Sequence, residues 1–369
     1  MTSAPTSTIL GEALPRLAAL PRAGLLGAPT PVQPLAGLAQ VYVKRDDLTA
    51  ADYGGNKIRK LDFLLGEARR DGCGAVLAFG YAGSNFVAAT AWHARKLGLS
   101  TLAGLLPQCP AAYVVGNLSV SLHCGAELFV GGSPATLAAT AVARSLRRLA
   151  REGRAPRWMA PGGSNALGAL GFVEAAFELR RQIDAGELPA PRSLYVPFSS
   201  MGTVAGLVTG LALAGLPTQV IAVQVVGETL AGRARLGRLL ADLAVLLRRH
   251  GVAVPEAETL LARVVIRTEF YGGEYACRTD AAAAAVARFT AAAGARADSA
   301  YTGKALACLY ADAATRNLAA PALYWHTFSA TALPPGVPLA PASAAPHALR
   351  HHWTLERAGL HGLPLLCSH

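Results

Sequence analysis

Apolar runs of strand length recur along the whole chain: "AVLAF", "TLAGLL", "AELFV", "RWMA", "SLYVPF", "QVIAVQVV", "RVVIRT" and "ALYWHTF". Between them lie Ala- and Leu-rich segments whose apolar positions fall at helical spacing. Short continuous apolar runs suit strands covered on both faces, and their alternation with helices predicts βαβ units around parallel sheets. The predicted class is α/β, as two domains each with a mostly parallel sheet flanked by helices. Three such units between Leu61 and Ala150 predict a small α/β domain over residues 61–154, closed by the polar link "REGRAPR" (Arg151 to Arg157). Residues 1–60 and 155–345 then form a larger, discontinuous domain, and residues 346–369 a C-terminal tail.

Ser193 to Gly227 tests this picture, because it carries no charge and is long enough to span a bilayer. Its texture argues against a membrane. "SLYVPF" is strand-like, "SSMG" interrupts it, "TVAGLVTGLALAG" is helix-like and "QVIAVQVVG" is β-branched again, so the run predicts a buried strand, helix and strand.

Composition changes the picture in two places. The net charge of +11 raises the question of phosphate-rich partners. The basic residues, however, crowd into Ala143 to Arg157 and Gly232 to His250, where leucines and alanines at helical spacing predict amphipathic helices with solvated charged faces. No nucleic acid and no membrane is expected as a partner. The six cysteines are scattered without a CxxC pair, which predicts reduced thiols and a cytoplasmic protein. The N-terminus lacks the basic and apolar regions of a signal peptide. The tail holds five of the nine histidines, with His347 and His351 four apart and Cys367 two from His369, but no donor set of structural-zinc spacing is complete and no metal is expected.

Among 34 basic residues only Lys44, Lys57, Lys60, Lys96 and Lys304 are lysines. One task is closed to arginine: forming a Schiff base, which needs an amine able to lose its proton. Lys57 follows "GGN" and precedes the amphipathic run "IRKLDFLLGEA", so it falls near a helix N-terminus, whose dipole lowers an ammonium pKa. A solvated lysine in a turn has the same local pattern. In "VPFSSMGTVAGL" an apolar strand ends in Ser199, Ser200, Met201, Gly202 and Thr203 and runs into a helix, a geometry that cradles phosphate. It is neither the dinucleotide fingerprint nor the Walker loop. Ser84 and Asn85 stand after a strand at the start of a helix, where either a site or simple capping accounts for them. The same choice holds for "PGGSNALGALGF", which contains Gly163.

Taken together in order, "VKRDDLTAADYGGNKIRKLDFLL", "GSN", "LGLSTLAGLL", "GNLSVSLHCGAELF", "PGGSNALGALGFVEAA", "SSMGTVAGL" and "AYTGKA" cover Val43 to Phe328. This series resembles the family of 1-aminocyclopropane-1-carboxylate deaminase and D-cysteine desulfhydrase, pyridoxal-phosphate enzymes of the tryptophan-synthase-β-like fold (fold type II). The resemblance implies pyridoxal 5'-phosphate as cofactor, held by Lys57 with help from Asn56. It implies that Asn85 bonds the cofactor's phenolic oxygen, that Ser84 meets the substrate carboxylate or acts near Cα, and that Ser199 to Thr203 hold the phosphate. Tyr275 and Tyr301 would stand beside the substrate, with Phe86 and Gly163 at its border, and Thr302 would face the pyridine nitrogen. Ala276 stands where the family usually has glycine, Phe86 where it has a polar residue, and Ser200 and Met201 where glycines are usual. A neutral hydroxyl at Thr302, unlike the deaminase branch's glutamate, favours α,β-elimination over ring opening. The activity implied is a lyase or deaminase acting on a small D- or cyclic amino acid, giving a keto acid and ammonia, with Lys57 as base for the α-proton and a tyrosine as proton shuttle. β-Replacement, racemisation and a non-catalytic ligand-binding descendant are the alternatives. The family implies a homodimer.

Overall fold

The computed structural model describes residues 8–357. After a short helix α1 (Ile9–Ala13), strands β1 (Val32–Pro34) and β2 (Val41–Lys44) lead into α2 (Lys57–Arg70). Four strands and three helices follow: β3 (Ala75–Tyr81), α3 (Asn85–Lys96), β4 (Ser100–Leu106), α4 (Val114–His123), β5 (Glu127–Val130), α5 (Pro134–Glu152) and β6 (Arg157–Trp158). The chain continues through α6 (Ala166–Asp184), β7 (Ser193–Phe198), α7 (Gly202–Leu213), β8 (Gln219–Gln224), α8 (Arg233–Arg249), α9 (Ala257–Leu261) and β9 (Val264–Arg267). It closes with α10 (Asp280–Ala293), α11 (Thr302–Ala314), β10 (Ala322–Trp325) and α12 (His351–Arg357).

Two sheets result, in the orders β5-β4-β3-β6 and β1-β2-β10-β7-β8-β9. Every pairing is parallel except β1 with β2, where Gln33 faces Val43. The α/β class with two mostly parallel sheets is thus as expected, and each predicted apolar run supplies a strand. β1 and β2 carry no run of their own: "VQP" and "VYVK" are short and mixed in polarity, and tertiary pairing makes them strands.

The uncharged stretch becomes β7, α7 and β8. Strand β7 is covered by α7 on one face and α11 on the other, and no residue of α7 from Gly202 to Leu211 is exposed. Glycine permits this close packing, since a Cβ at Gly206 would stand 2.2 Å from the Ala169 carbonyl oxygen of α6. No helix among the described residues is long and apolar enough to cross a membrane. The amphipathic expectation holds for α8, whose Leu236, Leu240, Leu243 and Leu247 are buried while its arginines face outward.

A buried charge network fixes the start of α2. Arg59 pairs with Asp46 at 2.7 Å and with Glu178 of α6 at 3.0 Å. Lys44 of β2 donates to Glu178, and the Trp325 indole donates to Asp46 at 2.7 Å. Since α2 opens with Lys57, this network sets where Lys57 stands.

The Pro- and Ala-rich stretch after Ser329 packs with α3 and α4 of the four-stranded layer, where Val337, Leu349 and Trp353 are buried. Its Ala340 N–H donates to Ser119 Oγ at 2.8 Å. Cys367 and His369, weighed as tail metal donors, lie outside the described residues. Among the described residues Cys73, Cys124, Cys277 and Cys308 are free thiols.

Candidate active site

Parallel strands collect loops at their carboxyl ends, and a site there can draw on both layers. A cavity of about 510 Å³ opens at this place. Its wall takes Asn56 and Lys57 from the start of α2, Tyr81 from β3, Ser84, Asn85 and Phe86 from the β3–α3 turn, and Ser199, Ser200 and Met201 from the β7–α7 turn. Tyr275, Asp298 and Tyr301 also line it. A side recess of about 30 Å³ at the start of α7 is bordered by Asn56, Lys57, Ser199, Ser200, Met201 and Tyr301, and adds Thr203.

Lys57 is therefore no solvated turn cation. Burial of its amine lowers the pKa to about 8, although the Asp298 carboxylate pulls the other way. A neutral amine is accordingly accessible near physiological pH. Among the described residues its Nζ makes no hydrogen bond, so it is available to a ligand in the cavity. Asn56 is tied into the recess, its Nδ2 donating to Thr203 Oγ1 at 3.2 Å.

Ser84 is both a cap and a wall residue. Its Oγ accepts the Val87 N–H at 3.3 Å while the side chain lines the cavity. Asn85 Oδ1 accepts from Asn117 Nδ2 at 2.8 Å, and Asn117 also donates to the Gly83 carbonyl at 2.8 Å. Its oxygen is so engaged, and among the described residues its amide donors, on a residue that lines the cavity, make no hydrogen bond.

The β7–α7 turn is shaped for an anion. Met201 takes φ +68°, and the first N–H groups of α7 have no intrahelical acceptors; that of Gly202 is taken by Ser164 Oγ, while Thr203 and Val204 border the recess at the positive end of the helix dipole. Behind the turn, Lys60 Nζ donates to Ser164 Oγ at 2.9 Å and to the Gly162 carbonyl at 3.1 Å. Ser164 Oγ donates to Ser200 Oγ at 2.8 Å and accepts the Gly202 N–H at 3.1 Å. A Cβ at Gly202 would stand 2.7 Å from Ser164 Oγ, so glycine is what lets these elements close. Lys60 is fully buried, and desolvation, aided by repulsion from Lys57, holds its pKa well below the usual range.

Across the cavity the Tyr275 and Tyr301 hydroxyls are hydrogen-bonded, and the Tyr81 ring stacks on Tyr275 at 4.2 Å. Desolvation pushes both phenols well up, so they remain protonated at neutral pH. Ala276 takes φ +64°, the left-handed region that favours glycine, which accounts for the glycine usual at that position.

Three expected residues line neither the cavity nor the recess. Gly202 and Gly163 lie just behind the wall, and a Cβ at Gly163 would stand 2.9 Å from the Phe86 ring. Thr302 is fully buried, and its Oγ1 donates to Asp298 Oδ2 at 2.7 Å. The carboxylate that does reach the cavity is Asp298, which also accepts the Tyr301 N–H at 2.6 Å. Sequence reasoning missed Lys60, Tyr81, Ser164 and Asp298. The signal for Lys60 was its place three residues after Lys57 on one helix face, and Ser164 stood inside the quoted "PGGSN".

An amine of lowered pKa, an anion recess at a helix N-terminus and an amide on the wall of the same cavity as that amine fit pyridoxal phosphate, the cofactor implied by the sequence. Comparison with known proteins agrees. Residues 24–324 match the family described as pyridoxal-phosphate dependent enzyme. The chain is 37% identical over 327 residues to nocardicin C-9' epimerase of Nocardia uniformis subsp. tsuyamanensis, covering 85% of this chain and 94% of that one. It is 33% identical over 332 residues to D-cysteine desulfhydrase of Salmonella paratyphi B, covering 87% and 97%. Among solved structures, the ACC deaminase homologue superimposes with a TM-score of 0.74 at 31% identity, covering 86% of this chain and 94% of that one. A fungal L-serine ammonia-lyase from Rhizomucor miehei shares the fold, with a TM-score of 0.57 at 18% identity, covering 83% of this chain and 95% of that one. A match of this length, with relatives of this coverage, makes the chain a member of the pyridoxal-phosphate dependent enzyme family.

Proposed function

We propose that the protein is a pyridoxal-phosphate-dependent lyase that carries out α,β-elimination on a small amino acid, releasing a keto acid and ammonia in the manner of D-cysteine desulfhydrase. The observation that carries this reading is Lys57: an amine brought to about pKa 8, at the junction of the anion recess with the main cavity. Pyridoxal phosphate, when bound, supplies an electron sink for the charge that develops at Cα. The chain's residues do the rest. Ser199 to Thr203, backed by Ser164 and Lys60, hold the phosphate, and Asn85 donates to the phenolic oxygen. Ser84 orients the substrate carboxylate. Lys57, once released as an amine, removes the α-proton as general base, and the Tyr275–Tyr301 pair passes a proton to the leaving group. This reading keeps the division into residues 61–154 and a discontinuous larger domain, a homodimer, and a cytoplasmic location.

A second reading is epimerisation at Cα. The 37% identity to a relative named as an epimerase favours it, and so does a protonated tyrosine pair lining the same cavity as Lys57. One assay separates the two: incubation of 3-chloro-D-alanine, D-cysteine and their L forms in deuterated buffer. Elimination yields keto acid and ammonia, whereas epimerisation yields α-deuterated amino acid of both configurations without ammonia.

A further inference from the structure

The cavity reaches beyond the groups assigned so far. Part of its wall is apolar, built by Phe79 of β3, Leu106 of β4, Leu137 of α5, and Val226 and Leu230 from the loop after β8. None of these borders the recess beside Lys57. Leu230 is 43% exposed although it lines a cavity, an apolar surface left facing water. Next to it stands Arg235 in the first turn of α8, exposed, lining the same cavity and donating to the Leu230 carbonyl at 3.2 Å. Among the described residues no carboxylate lies within ion-pair reach of its guanidinium. A thiol or chloride on Cβ would leave this wall unfilled and this cation unpaired.

We propose that this wall is a leaving-group subsite, taking an apolar thioether substituent on the substrate's Cβ, aryl or branched alkyl, that ends in a carboxylate paired with Arg235. The inference rests on the elimination reading and adds the class of group eliminated. The apolar body covers Leu137 and Leu230, and a planar carboxylate matches the fork of the guanidinium. In the step, Lys57 takes the α-proton, the Cα–H pair becomes the second Cα–Cβ bond, and the Cβ–S bond breaks with its electrons leaving on sulfur. Overall, R–S–CH2–CH(NH3+)–COO− and water give R–SH, pyruvate and ammonium, with no oxidant or reductant.

The test compares S-methyl-, S-benzyl- and S-(4-carboxybenzyl)-cysteine, in both enantiomers, with 3-chloroalanine as the short substrate, on the holoenzyme and on Arg235→Gln. The expected kcat/KM for the benzyl compound exceeds that for the methyl compound by about tenfold, as filling an apolar pocket does. The carboxybenzyl compound is expected to exceed the benzyl compound by about threefold to tenfold, a ratio that falls to about one in Arg235→Gln. Turnover of 3-chloroalanine with rejection of both benzyl compounds would overturn the subsite, as would a carboxylate preference that Arg235→Gln leaves intact. If no compound, short or long, yields keto acid, the elimination reading itself fails. The same two ratios, read from dissociation constants, then decide the pocket separately: values near one reject it, and a carboxylate preference lost in Arg235→Gln upholds it as a binding pocket for the Cβ substituent while its leaving-group role falls with elimination.

Discussion

Lys60 Nζ lies 2.9 Å from Ser164 Oγ, one turn along α2 from Lys57, and thereby couples the lysine-bearing helix to the anion turn at α7. The two halves of the proposed cofactor site are held in register by one buried amine. Ser164→Ala would leave that amine with the Gly162 carbonyl alone. Leaving a buried polar group short of a hydrogen-bond partner costs about 1–3 kcal/mol. The dissociation constant for pyridoxal phosphate should therefore rise about tenfold or more. A fluorescence titration that finds it unchanged would refute the coupling.

Reductive trapping with borohydride should place the cofactor on Lys57 and not on Lys60, as read by mass spectrometry of the peptides. Lys57→Ala should lower keto-acid release by at least about 10³-fold, within the range for loss of a general base compounded by loss of the cofactor anchor.

Capture of the cofactor by the apoprotein should follow the neutral fraction of Lys57. Because burial lowers its pKa to about 8, the reconstitution rate should rise as pH increases toward 8 and level off above it. The Asp298 carboxylate raises that pKa, so Asp298→Asn should move the limb to lower pH. A limb near the ordinary lysine value would contradict the burial argument.

Stability should depend on Glu178. Desolvation alone would raise its pKa, but Arg59 and Lys44 outweigh this and hold it at about 2. The folded pKa lies below the unfolded value, so this stabilisation is fully present above about pH 4.5 and is lost as pH falls toward 2. Urea midpoints should decline across that window in the wild type and less so in Glu178→Ala. At pH 7 the substitution should cost about 3–5 kcal/mol, because Lys44 and Arg59 remain buried with fewer partners.

The strands of both sheets were legible in the sequence because burial on two faces demands continuous apolar runs, as "SLYVPF" shows. β1 and β2 were not, since a three- or four-residue strand of mixed polarity carries no periodic signal. Lys57 was legible as a candidate for a chemical reason, since arginine cannot do an amine's work, but the Gly-Gly-Asn turn before a helix suited a solvated cation equally, and only the cavity shows where the amine stands. Ser84, Asn85 and the Ser199 to Thr203 turn were legible as local shapes that left capping and function undivided.

Tertiary structure alone decided which of those shapes meet. Residues from near position 57, 84, 200, 275 and 301 reach one cavity only because the ends of two sheets face each other, and sequence spacing does not encode that. It also decided that Asp298, not Thr302, reaches the cavity, since the threonine hydroxyl is used up inside the turn that opens α11. Local sequence sets what each side chain can do chemically. Long-range packing sets its neighbours and the water it loses, and hence its pKa.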